Sequence, residues 1–289
     1  MKQAFTLVEL LIVVTIIVVL LALLTPALDR AIYQAELVVC GARLHTTGAA
    51  TVEYALANKR SYMGRLLQAQ AAQLRSNATN TDFRPALSRA FPVNTLNDPL
   101  VKAVDLTSNY PDGKDRTQFT IFASYNIFVS YNCWWDPAPS GTRTLKRMGD
   151  SFNYADGKHD YSFRILYSDR DVVMPYGTEA QSSHPDRDGK MYNIHIQDGT
   201  SNPWESTQAQ VTGWEYTTLS FWRLAGDYQR GPVDDQFLYD DLSVRRYDGV
   251  VAGSSADDTD ERMVGIPIFR SDSTVVHNQW IHMPRDGGQ

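Results

Sequence analysis

From Leu10 to Leu24 every residue but Thr15 is apolar, and the stretch counted from Phe5 to Leu24 holds 20 residues. As a helix it is about 30 Å long, which matches the hydrocarbon core of a bilayer. No later run compares with it, and the weakly negative mean hydropathy excludes a polytopic membrane protein. The chain therefore crosses a membrane once or is exported by a signal peptide. A signal peptide needs a charged start and a small-residue cleavage site. Lys2 supplies one charge, but Thr25-Pro26-Ala27 is a poor site. A plain signal anchor fits the length. Neither explains Glu9, a carboxylate at the head of the apolar block, because an unpaired charge there costs roughly 2.5 kcal/mol or more.

Ala4-Phe5-Thr6-Leu7-Val8-Glu9 and the apolar run after it resemble the cleavage and methylation motif of type IV prepilins and type II secretion pseudopilins. The resemblance implies that a prepilin peptidase cuts between Ala4 and Phe5 and methylates the new amino terminus. It also implies that Glu9 pairs with the amino terminus of a neighbouring subunit during filament assembly. Pro26 falls where that family's helix-kinking proline lies. Ala4 departs from the usual glycine before the cut, but is likewise small.

Beyond Pro26, Leu28, Ala31, Ala35, Val38, Ala42, His45, Ala49, Val52 and Leu56 recur at alternating spacings of three and four. That spacing predicts one helical stripe of mostly small residues, within a single helix from Phe5 to about Asn58. His45 reads as a packed or rim histidine. Cys40, Leu44, Gly48 and Tyr54 follow a C-x3-L-x3-G-x5-Y spacing, similar to a large-headed bacterial subfamily of prepilin-like proteins. That subfamily often ends with a histidine followed by Asp-Gly. Here Ser183-His184-Pro185 precedes Asp198-Gly199 by a longer gap, and Ile165 to Arg170 resembles the strand leading into that loop.

Residues 59–118 read as a connection, with a short helix from Met63 to Arg75 and Pro/Asn/Gly-punctuated loops after it. From residue 119 to 289 strand signals dominate. Phe119–Tyr131 is long and aromatic, Tyr161–Tyr167 and Met191–Ile196 alternate, and Val211–Trp222 and Gln236–Tyr247 look like further strands. Asp156-Gly157, Asp188-Gly189, Asp198-Gly199 and Asp248-Gly249 suit hairpin turns. The expected fold is α+β and pilin-like, with residues 1–4 a leader. A long helix over 5–58, spanning the membrane over about 5–28, would lay its small-residue stripe on an antiparallel sheet.

Chemistry is sparse. No nucleophile elbow, phosphate loop, C-x-x-C or H-E-x-x-H occurs, so an enzyme is not expected and no cofactor is implied. His277 and His282 are five apart, a poor metal pair on a strand. Oxygen-rich loops hold calcium, which makes Asp234, Asp235, Asp257 and Asp258 candidate ligands, although their spacing fits no known loop and a solvated acidic surface explains them equally. Two cysteines allow one bridge, Cys40 to Cys133, or two buried thiols. A net charge of −6 argues against nucleic acid.

The expectation is a filament subunit, seated in the bacterial inner membrane with its head in the periplasm or at the cell surface. Its partners are other pilin-like subunits and the prepilin peptidase. The alternative is a membrane-tethered extracytoplasmic binding or enzymatic domain that uses the helix only as an anchor.

Overall fold

A computed structural model describes residues 6–64, 71–76, 81–100, 105–108, 121–130, 145–155, 160–173, 179–182, 184, 190–191, 209–210, 222–225, 234–248, 263–268 and 279–284. Its dominant element is a single helix, α1, Leu7–Ala57, of 51 residues, about 77 Å long. Thr6 caps its start, accepting the Glu9 amide, while the Glu9 carboxylate takes the Thr6 amide and hydroxyl in return. The helix runs on through Pro26, where a missing amide leaves one carbonyl of the preceding turn without its usual donor.

The head is α+β. Its central sheet has four antiparallel strands in the order β14-β13-β7-β4: β4 is Tyr125–Ile127, β7 Ile165–Asp169, β13 Asp234–Tyr239 and β14 Val244–Asp248. A five-stranded sheet runs β12-β9-β8-β16-β15, from β8 (Asp171–Val173), β9 (Glu179–Ser182), β12 (Trp222–Ala225), β15 (Met263–Ile268) and β16 (Gln279–Pro284). A small sheet joins β1 (Gln73–Ser76) to β2 (Thr81–Asp82) and β3 (Ile121–Phe122). Two hairpins complete the strands, β5 (Phe152–Ala155) with β6 (Asp160–Phe163) and β10 (Lys190–Met191) with β11 (Ala209–Gln210).

Several expected elements differ. Phe119–Tyr131 is not one strand. The chain turns at Ala123 and Ser124, whose amides donate to Ala72 and Leu96, so β3 and β4 enter different sheets. Tyr161–Tyr167 divides at Arg164 in the same way. Gln236–Tyr247 is a hairpin turned at Asp240–Ser243, where Asp240 pairs with Arg164 and Asp241 takes the Ser243 amide. The end of the helix expected over Met63–Arg75 is strand β1, because Leu74 is buried and the backbone pairs on both sides. Tertiary pairing overrides local helix preference there.

The face of α1 that meets the head is also not the expected one. Leu37, Cys40, Leu44, Thr47, Gly48, Thr51 and Ala55 are buried against β7, β13 and β14. Of the expected stripe, Leu28, Ala31, Ala35, Val38, Ala42, His45 and Leu56 face outward, Val38 73% and Leu56 62% exposed. The two faces lie about 100° apart on the helix. The buried one is more polar, but its groups are satisfied: the Thr51 hydroxyl meets Thr47 O and the Tyr167 hydroxyl at 2.7 Å, and Gln236 Nε2 donates to Leu37 O.

Where α1 ends, Tyr62 N–H donates to Lys146 O and the side chain packs inward. Burial, helped by the nearby Asp240 charge, raises its phenol pKa to about 12. Unfolded tyrosine ionises near 10. The neutral phenol's contribution to stability is therefore complete below pH ~10 and lost as pH rises through ~12. Denaturation midpoints of the head should fall across that window, and less steeply in Tyr62→Phe.

Candidate functional site

The residues singled out from sequence separate into two places. At the N-terminus, Ala4 and Phe5 lie outside the described residues, whereas Glu9 and Pro26 lie on α1. From Thr6 to Leu28 every residue of that helix is exposed, so the head covers none of the apolar half. The helix is long and apolar enough to cross a membrane. In that half, Thr15 bonds within its own helix to Leu11 O and Ile12 O, and Thr25 to Leu21 O.

The second place is a cluster that sequence reasoning did not assemble. Cys40 points from the buried face of α1. Asp98 follows the short turn Val93–Leu96, Asp169 ends β7, and His184 lies two residues beyond β9. Their metal-binding atoms all lie within 4.8 Å of one another. The four residues are at most 1% exposed. His184 bridges the carboxylates, Nε2 to Asp98 Oδ2 and Nδ1 to Asp169 Oδ2, both at 2.8 Å. The Cys40 sulfur lies 3.0 Å from Asp98 and 3.2 Å from Asp169, either of which can accept its one proton, and 3.3 Å from the Tyr125 hydroxyl. Backbone amides hold the carboxylates from behind: Leu100 N–H to Asp98 Oδ1 and Gln236 N–H to Asp169 Oδ2, each 2.7 Å.

Charge follows from this geometry. Burial works against a charged His184, but the Asp169 and Asp98 carboxylates outweigh it and hold the imidazole pKa well above its ordinary value. Asp98 is also opposed by burial, yet the His184 charge and hydrogen bond keep it below the usual carboxylate range. Burial wins at Asp169 and raises it. Burial, then the two carboxylates, push the Cys40 thiol far up, so it is a poor nucleophile in this state.

Cys40 carries a free thiol, and Cys133, the partner in the bridge weighed from the sequence, lies outside the described residues. The calcium candidates fare differently. Asp257 and Asp258 lie outside the described residues, while Asp234 and Asp235 are consecutive in β13, opposite Asp248 and Tyr247 in the β14 register. Among the described residues, the group with metal-ligand spacing is the Cys40 cluster instead. Two sequence signals pointed toward it, the C-x3-L-x3-G spacing that puts Cys40 on the packed face and the Ser183-His184-Pro185 motif. Asp98 read only as loop punctuation. No known family model, curated protein sequence or solved structure matches this chain.

Proposed function

We propose that this chain is a structural subunit of a filament of the type IV pilus or type II secretion pseudopilus kind, processed by a prepilin peptidase and assembled through its N-terminal helix. The observation that carries the reading is the division of α1. Its first half, Leu7 to Leu28, is apolar and uncovered, and one face of its second half is buried against an α+β head. A subunit held in the bacterial inner membrane before assembly, and packed helix to helix afterwards, needs that division. Its role is assembly rather than catalysis, and the net charge of −6 fits protein partners better than nucleic acid. The outward apolar positions Val38, Val39 and Leu56 extend the uncovered face beyond the membrane span, where a neighbouring subunit's helix would lie.

Glu9 separates this reading from a plain anchor. In a filament its carboxylate would face the amino group of a processed Phe5 on an adjacent helix, setting the axial stagger. Coexpressed with a prepilin peptidase, the chain should begin at N-methylated Phe5. Glu9→Leu should insert into membranes as well as the parent, yet fall several-fold in sheared filaments. Thr15→Leu should have a smaller effect, since Thr15 is uncharged, offers a neighbour's amino group no ion pair, and already bonds to Leu11 O and Ile12 O. Cleavage after Ala27, or equal incorporation of Glu9→Leu and parent, would leave the helix an ordinary anchor or signal peptide.

A further inference from the structure

We infer that the Cys40–Asp98–Asp169–His184 cluster is a structural zinc site that fastens the long helix to the head. The donor set is one sulfur, one imidazole nitrogen and two carboxylate oxygens, which suits zinc and not calcium or magnesium, whose shells are built from oxygen. Four is the number that closes a tetrahedron. With arms of 2.0–2.3 Å, the edges of a zinc tetrahedron are about 3.3–3.8 Å. The four donor atoms, already within 4.8 Å of one another, need only small side-chain shifts to reach such edges. Their supports are in place as well. The Leu100 and Gln236 amides orient the two carboxylates, and the Tyr125 hydroxyl lies against the sulfur, the outer shell that tunes protein metal sites.

Binding exchanges protons for metal. Zinc takes the thiolate of Cys40 and one ring nitrogen of His184, releasing the thiol proton and that nitrogen's proton, and the carboxylates bind as anions. All four positions are then filled by protein and sealed from solvent, so the ion has no open place for water or substrate. Its effect is mechanical. Cys40 belongs to α1, whereas Asp98, Asp169 and His184 come from three separate segments of the head. One ion therefore pins the helix just beyond its membrane-facing half.

The test uses the full-length chain in detergent, stripped with a chelator and reloaded with zinc or cobalt(II). About one zinc per chain should survive gel filtration, and zinc should raise the unfolding temperature of the head by several degrees. Cobalt(II) should give the thiolate-to-metal band and strong visible bands of a tetrahedral sulfur-bound site. The near-isosteric Cys40→Ser should lose the thiolate band, and Cys133→Ser should keep it. Folded parent protein that retains only substoichiometric zinc and shows no cobalt–thiolate band would overturn the site and leave a hydrogen-bonded proton network. A band lost in Cys133→Ser but kept in Cys40→Ser would overturn it too. Because the parent protein's own metal content and spectrum decide the matter, failure of a variant to fold does not obscure the result.

Discussion

Gly48→Val should destabilise the head by about 3 kcal/mol, near the upper end of what overpacking a core ordinarily costs. An ideal Cβ at Gly48 would lie 2.2 Å from Leu238 Cδ2, 3.2 Å from its Cγ and 3.3 Å from Cδ1. Leu238 has no room to yield, being fully buried in β13 between Tyr167 of β7 and Val244 of β14 in the register. Either α1 moves off the sheet or the central strand does. Gly48→Ala is the sharper diagnostic. An interior helical glycine changed to alanine ordinarily gains about 1 kcal/mol of helix preference, whereas here the sign should reverse. Gly64→Ala, where the added carbon meets nothing within 4 Å, should be near neutral. Denaturation midpoints of the detergent-solubilised chain would measure all three. A stabilised Gly48→Ala would mean that the helix does not seat at that depth.

His184→Leu should be as severe, about 3–5 kcal/mol in chelator-treated protein, because it removes the cationic partner that bridges two buried carboxylates. Asp98 and Asp169 would then face each other at the Cys40 sulfur with no cation between them. Adding Asp98→Asn to His184→Leu should recover part of the loss by removing one of the two stranded charges. The pair thus forms a double-mutant cycle with a coupling energy well above that of a surface pair. Additive losses would mean that the cluster is not electrostatically joined.

How much of this was legible follows from the range of each interaction. The span of α1 is local, written in consecutive residues, and so is the α+β class, carried by one very long helix and many short aromatic runs. The packed face of α1 was not. Counting apolar residues favoured the stripe through Val38 and Leu56, but the head chose the stripe through Cys40, Gly48 and Thr51. A small residue opposite a large one decides close packing, and Gly48 is shaped for Leu238 rather than for hydropathy. The cluster is further out of reach. Its hydrogen bonds join positions 58, 86 and 129 residues apart, and an aspartate before a proline, as at Asp98, looks like any turn.

The reciprocal cap at Thr6 and Glu9 changes what kind of event subunit joining would be. A buried acid is usually pictured as a liability that a partner relieves, with a steep downhill step at the moment of contact. Here the carboxylate already has two donors from its own chain, both within 2.9 Å, so on the filament reading a lone subunit would hold it hydrogen-bonded before any neighbour arrives. Docking against a neighbour's amino terminus would then be a partner swap, with one set of bonds opened as another closes. On the filament reading proposed above, joining would be driven by the difference between an ion pair with the neighbour and the two hydrogen bonds given up, not by relief of an unpartnered charge.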